Sequence, residues 1–88
     1  MKELPLVSVI IPCYNGEKVM GRLMDSLLNQ TYTHLEIILV NDGSSDNSEE
    51  IWHSYEKKFN KENIKTHYIY QENQGLGSAI LNYFLHQL

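Results

Sequence analysis

Three short polar loops carry the residues of this sequence that could take part in chemistry. The middle loop, residues 41–46, contains Asp42, whose carboxylate could accept hydrogen bonds from a nucleobase imide or a ribose hydroxyl. Gly43 follows it and permits a sharp turn because it has no Cβ. Turn and helix-cap chemistry by the neighbouring serines and Asp46 explains the same residues without a ligand, so both interpretations stay open.

The first loop, residues 12–17, combines an aromatic ring with polar groups. Tyr14 could stack on a nucleobase, and Asn15 could orient that base or cap the following helix. Glu17 either belongs to a ligand site or simply stabilises the positive end of the helix, and the two interpretations weigh equally. Cys13 has no histidine near it in the sequence, which favours a small buried side chain over a nucleophile.

The third loop, residues 71–77, ends in Gly75-Leu76-Gly77 and opens a predicted helix whose N-terminus could face a diphosphate. It does not match the dinucleotide fingerprint, because Ile80 stands where a third glycine or alanine is required. A glycine turn before an ordinary helix is the alternative. No metal site is predicted, because none of the four histidines is spaced for metal binding with another histidine or the cysteine.

Alternating strands and helices must position these loops. Apolar and β-branched runs predict strands at residues 7–12, 35–40 and 65–70. Helical spacing predicts helices over about 16–29, after Asp46, and from Leu76 nearly to Leu88. The order β-α-β-α-β-α predicts a Rossmann-like three-layer α/β fold with a short parallel sheet. The three loops would follow the carboxyl ends of its strands, where such sheets bind ligands.

Length and charge limit the possible functions. The 88 residues suffice for one small domain, and a net charge of -4 with scattered basic residues argues against a nucleic-acid partner. A single cysteine excludes an internal disulfide and is consistent with a reducing compartment. No apolar run approaches the ~18–20 residues of a membrane span. We therefore expect a cytoplasmic chain, peripheral to the inner membrane face at most.

Four segments in order resemble family 2 glycosyltransferases, and together they cover residues 7 to about 79. They are the strand and loop at 7–15, the helix end at 26–32, the strand and acidic loop at 35–46, and the loop at 71–77. The resemblance implies a GT-A fold, a nucleotide-sugar donor, typically a UDP-sugar, and inverting transfer of a hexosyl group to an acceptor hydroxyl. It implies that these loops hold the nucleotide, with Asp42 on the base. The predicted nucleotide-binding residues are Pro12, Tyr14, Asn15, Glu17, Asp42, Gly43, Gln74 and Gly75.

The sequence departs from the family pattern near its end. Ile80 and Leu81 follow Ala79 where the family usually has Arg-Asn, and neither the Asp-x-Asp motif nor the general base occurs before Leu88. Mg or Mn is expected for the full-length family, with no cofactor and no catalytic residue within this chain. We therefore expect residues 1–88 to form a single partial domain, the nucleotide-sugar-binding front part of a truncated glycosyltransferase, and to transfer no sugar alone.

A second hypothesis treats the chain as a non-catalytic module. A three-stranded sheet that lacks its next strand has an open edge, and its helices expose apolar faces, so self-association as a homodimer or binding to a partner protein is expected. A redox or methyl-transfer Rossmann domain is disfavoured, because the glycine fingerprint is absent.

Overall fold

The computed structural model describes residues 4–75 and 77, and it shows three strands that alternate with two helices. The elements in chain order are β1 (Val7–Cys13), α1 (Glu17–Asn29), β2 (Leu35–Asp42), α2 (Ser48–Lys61) and β3 (Lys65–Gln71). The predicted α/β order is confirmed over this part of the chain, and each strand ends one or two residues later than predicted. The predicted last helix, from Leu76 towards Leu88, lies outside the described residues.

The three strands form one parallel sheet in the order β1-β2-β3. Cys13 at the end of β1 is in register with Asn41, and Asp42 at the end of β2 is in register with Gln71 on β3. All three strands therefore end at nearly the same level. The loops that follow them emerge side by side at the carboxyl edge of the sheet, as the sequence predicts.

Burial on both faces explains the continuous apolar sequence of β2. Ile37 and Leu39 belong to the main core, which both helices cover on one face of the sheet. Ile38 and Val40 belong to a separate cluster on the opposite face and are also fully buried. Residues 37–40 alternate between these two buried faces and are all apolar, whereas the polar residues of β2 lie near its two ends.

Each helix buries one apolar stripe against the sheet. Met20 and Met24 are the buried residues of α1, while Trp52 and Phe59 anchor α2 and are fully buried. These residues recur at the three- to four-residue and seven-residue spacings of a helix face, so the predicted amphipathic helices are confirmed. Among the described residues, no helix is both long enough and apolar enough to cross a membrane.

Candidate functional site

Asp42 is a buried carboxylate at the carboxyl edge of the sheet. It ends β2 and is only 3% exposed. Its Oδ1 accepts hydrogen bonds from Gln71 Nε2 at 2.8 Å and from the Gln74 amide at 2.7 Å, and its Oδ2 accepts one from the Gly75 amide at 2.8 Å. The bond from Gln71 does most to hold the pKa of Asp42 below its usual value; burial opposes it, and the two amides add to it.

This bonding pattern leaves Asp42 with limited capacity for a ligand. An ionised carboxylate offers about four acceptor positions, two on each oxygen. The chain itself fills both positions of Oδ1 and one position of Oδ2. Among residues 4–75 and 77, no donor fills the second acceptor position of Oδ2.

Gly43 brings the third loop against the acidic loop. Its φ is +73°, a backbone conformation that favours glycine. A Cβ at this position would lie 3.0 Å from the backbone nitrogen of Asn73. The sequence predicts the turn at Gly43, but it gives no sign that a segment thirty residues away packs on that turn.

Asn15 joins the first loop to the acidic loop. Its amide donates to Ser44 Oγ at 2.9 Å, and its side-chain oxygen accepts the Ser45 amide at 2.8 Å. The prediction that Asn15 caps α1 is wrong, because the helix begins after Gly16 and receives no side-chain cap from that position. The Asn15 carboxamide oxygen is bonded to the acidic loop, so it stabilises the contact between the two loops.

Asp46 serves the first turns of both helices. Its Oδ2 accepts the Glu17 amide at 3.1 Å, and its Oδ1 accepts the Ser48 amide at 3.0 Å and the Ser48 hydroxyl at 2.5 Å. The Ser48 hydroxyl is the largest cause that holds the pKa of Asp46 below its usual value, against the effect of burial. The sequence predicts a cap by Asp46 for the following helix but not its bond to α1.

Tyr14 and Pro12 present surface to solvent beside these bonded loops. The Tyr14 side chain is 48% exposed, which leaves its ring available for stacking. Both residues border an apolar cavity of about 190 Å³ between β1 and α1, which Val19 and Leu23 also line. Asp42 does not line this cavity. The cavity therefore lies beside the polar cluster and is separate from it.

Glu17, Gln74 and Gly75 complete the residues singled out in the sequence. Glu17 occupies the first turn of α1, where its charge suits the helix dipole. The backbone amides of Gln74 and Gly75 point at Asp42, so these two donors are engaged within the chain. The structure therefore brings all three loops together, with Asp42 as the group that the third loop surrounds.

A chain of hydrogen bonds that leads from the buried Asn41 to the surface has no counterpart in the sequence predictions. Asn41, 1% exposed, accepts the Ser44 amide at 3.0 Å and donates to the Tyr68 hydroxyl at 3.0 Å. Tyr68 donates in turn to Glu49 at 2.8 Å. Burial is the largest cause that raises the pKa of Tyr68 to about 12. The loop is therefore supported from β3 and α2 as well as from β2.

The described residues do not fit the divalent metal that the sequence resemblance implies for the full-length family. Within residues 4–75 and 77, no three side chains of Asp, Glu, His or Cys lie together as a metal site requires. The carboxylates of Asp42 and Asp46 are turned towards amide donors of the chain itself. No step through a metal ion is derived for this part of the protein.

Comparison with known proteins adds an independent finding. The sequence profile described as Glycosyl transferase family 2 matches residues 8–86. An uncharacterized glycosyltransferase of Rickettsia typhi is 53% identical over 79 residues, which is 90% of this chain and 22% of that protein. The uncharacterized glycosyltransferase EpsJ of Bacillus subtilis is 47% identical over 76 residues, 86% of this chain and 21% of that protein.

A solved structure agrees with these relatives. The crystal structure of Staphylococcus aureus TarS is similar with a TM-score of 0.71 and 32% identity, over 97% of this chain and 15% of that one. The chain spans about one fifth of the length of the Rickettsia and Bacillus relatives. The likeness therefore concerns one segment of much longer proteins.

Proposed function

The chain belongs to glycosyl transferase family 2, and on that basis we propose that its three loops bind the nucleotide of a nucleotide-sugar donor, a UDP-sugar. The reaction that this binding would serve is inverting transfer of a hexosyl group to an acceptor hydroxyl. Because the chain spans only about a fifth of its relatives, the proposal for these residues concerns donor binding.

The acceptor position on Asp42 Oδ2 that no described residue fills is the observation that supports the choice of base. Uracil presents one donor, its imide N–H, between two carbonyl groups. That pattern matches a site with one vacant acceptor. Guanine presents two adjacent donors on its pairing edge, which would require two vacant acceptors, and cytosine presents a ring acceptor where uracil has its imide. Because the pKa of Asp42 is lowered, the carboxylate is charged at neutral pH and can only accept.

Tyr14 supports the proposal from the neighbouring loop. An exposed aromatic ring beside a hydrogen-bonding carboxylate can stack on the face of a base while the carboxylate reads its edge. Pro12 limits the backbone freedom of the same loop. The proposal assigns to Glu17, in the first turn of α1, a hydrogen bond from a ribose hydroxyl.

Equilibrium binding of nucleoside diphosphates to the purified chain tests this proposal. UDP should bind more tightly than ADP, CDP or GDP. Asp42→Asn should weaken UDP by at least about tenfold, because the amide replaces one charged acceptor with a donor. Glu50→Gln removes the same charge from an exposed part of α2 and serves as the control. Equal affinity for all four nucleotides, or equal affinity of the Asp42 and Glu50 variants, would refute the assignment of Asp42.

Stacking by Tyr14 has a separate test. Tyr14→Ala should weaken UDP by about tenfold, the lower part of the range for loss of one base–aromatic stack. Val19→Ala removes an exposed apolar side chain from the rim of the same cavity without removing a ring, and it should leave the affinity unchanged. If both variants bind alike, Tyr14 does not contact the base.

A second candidate is pairing of two copies of this chain through β1. This strand is an edge of the described sheet, and Leu4, Leu6 and Val7 expose apolar side chains at its start. Val19 on α1 is also exposed, near the other end of the strand. An edge strand with apolar neighbours favours association over isolation in water. Sedimentation of the 88-residue chain should show a dimer that Leu6→Lys disrupts; a monomer at high concentration would exclude this pairing.

A further inference from the structure

The N-termini of α1 and α2 share one carboxylate, although they lie about thirty residues apart in the chain. Neither helix has a capping side chain at its own N-cap position, which is Gly16 for α1 and Asn47 for α2. Asp46 supplies that function to both, through the Glu17 amide and the Ser48 amide. One side chain therefore accepts hydrogen bonds from amides at two helix ends that have no acceptor within their own helix.

Ser48 extends this arrangement by one more bond. Its hydroxyl donates to Asp46 and accepts the Gly16 amide at 2.9 Å. Ser48 is fully buried, so water cannot replace the hydroxyl in this position without rearrangement. Two successive amides at the start of α1, those of Gly16 and Glu17, are thereby fixed by residues at the start of α2.

We infer that Asp46, acting together with Ser48, is a positioning residue that sets the place of Tyr14 relative to Asp42 in the nucleotide site. This inference rests on the proposed function. Asp42 is held by β2 and by the third loop, whereas Tyr14 stands on a loop whose neighbouring amides are fixed from α2. The bonds of Asn15 to the acidic loop also hold this loop. A shift of the start of α1 would therefore strain the turn at Asn15 and Gly16 and change the orientation of Tyr14, while Asp42 stays in place.

Electrostatics favour a charged group at this point. Each helix N-terminus carries a partial positive charge, so one anion placed between two such ends interacts with both. The carboxylate of Asp46 thus occupies the position where an anion would otherwise be attracted, and its bonds engage the Glu17 and Ser48 amides. Asp46 acts on the nucleotide through the loop that it holds and makes no contact with the nucleotide itself.

Asp46→Asn is the variant that tests this role, because it keeps the shape of the side chain. If its oxygen still accepts from Ser48, its NH₂ group faces the Glu17 amide, and two donors then oppose each other. The start of α1 must move. We expect the affinity for UDP among folded molecules to fall about tenfold, a part of the loss that a displacement near one ångström can cause.

Tyr55→Phe is the matched control. It also removes a hydrogen bond between the two helices, from the Tyr55 hydroxyl to Asp25 at 2.8 Å, but it does so two helical turns away from the loops. Both variants should lower stability, whereas only Asp46→Asn should weaken UDP after correction for the folded fraction. If both variants weaken UDP equally, or if neither does, Asp46 is not a positioning residue.

A second variant and a titration of the unaltered chain distinguish failure of this inference from failure of the proposed function. If Asp46→Asn does not fold, Ser48→Ala leaves the carboxylate in place and removes only the hydroxyl between it and Gly16, and it should weaken UDP by several-fold. The unaltered chain is titrated in parallel. If the unaltered chain binds UDP and the folded variant binds it equally well, the positioning role is refuted and the proposed function stands. A lack of UDP binding by the unaltered chain refutes the proposed function and this inference with it.

Discussion

Replacement of Gly43 by alanine gives the sharpest test of how the acidic loop and the third loop fit together. Gly43 has a φ of +73°, and an alanine Cβ would lie 3.0 Å from the backbone nitrogen of Asn73. A left-handed backbone costs a non-glycine residue about 1 to 2 kcal/mol. The contact with Asn73 adds about 1 to 2 kcal/mol, because backbone rather than a flexible side-chain end must move.

The expected loss for Gly43→Ala is therefore about 2 to 4 kcal/mol. That is a large share of the roughly 4 to 13 kcal/mol expected for a domain of 88 residues. Gly75→Ala separates the two contributions. Gly75 also has a positive φ, +94°, but no described residue lies within 4 Å of its added Cβ, so we count only the backbone cost of about 1 to 2 kcal/mol.

Urea denaturation of the two variants measures the difference directly, as a change in midpoint at constant slope. The amide signals of Gln74 and Gly75 should also shift in Gly43→Ala, because displacement of Asn73 moves their bonds to Asp42. If Gly43→Ala loses no more free energy of unfolding than Gly75→Ala does, the third loop does not pack on Gly43 as described.

Three further predictions concern the core and the titrating groups. Trp52→Phe should change the free energy of unfolding by no more than about 1 kcal/mol. The buried indole Nε1 has no hydrogen-bond partner among the described residues, so the gain from its removal offsets the loss of side-chain volume. Phe59→Ala should lower the free energy of unfolding by about 3 to 5 kcal/mol in the same experiment. The folded-state pKa of Asp42 lies below its unfolded value, so its contribution to stability is present above about pH 4 and is lost as pH falls through the folded pKa. Urea midpoints measured from neutral to acidic pH should therefore fall less steeply in Asp42→Asn than in the unaltered chain. The pKa of Tyr68 is raised to about 12, so its contribution to the free energy of unfolding is complete below about pH 10 and is lost as pH rises towards 12. Tyr68→Phe should lack this loss of stability at alkaline pH. A tyrosinate signal from Tyr68 near pH 10 would contradict the burial of its hydroxyl.

The order of strands and helices was predictable because it depends on local pattern. The run from Leu35 to Val40 is apolar at every position but Glu36, and only a strand buried on both faces uses such a run efficiently. Trp52 and Phe59 lie seven residues apart, two turns of one helix face. In both cases the sequence carries the information within about ten residues.

The bonds that shape the site were not predictable in this way. Asn15 has the residue type of a helix cap, and nothing near it in the sequence shows that Ser44 and Ser45 would bind it instead. Asp46 was predicted to cap the helix that follows it, but its bond to Glu17 depends on the parallel sheet placing two helix ends together. Tertiary structure decided between local options that the sequence left open.

The sequence predicts that the three loops lie together, but it does not predict how Asp42 is bonded within them. The sequence predicts that Asp42 accepts a hydrogen bond from a base, and it does not show that the third loop fills three of the acceptor positions of Asp42. The sequence contains both loops, but the engagement of one by the other follows from the register that sets Asp42 beside Gln71. Because these three positions are filled, the proposed contact between Asp42 and the base is a single hydrogen bond to Oδ2.

Titration of the isotope-labelled chain with UMP, followed by amide chemical shifts, tests the central claim most directly. We expect shifts that concentrate in residues 12–17, 41–46 and 71–75, with Tyr14 and Asp42 among the largest, and much smaller shifts with AMP at the same concentration. Shifts confined to the far ends of α1 and α2, or none at millimolar UMP, would contradict the claim that these loops form a nucleotide site.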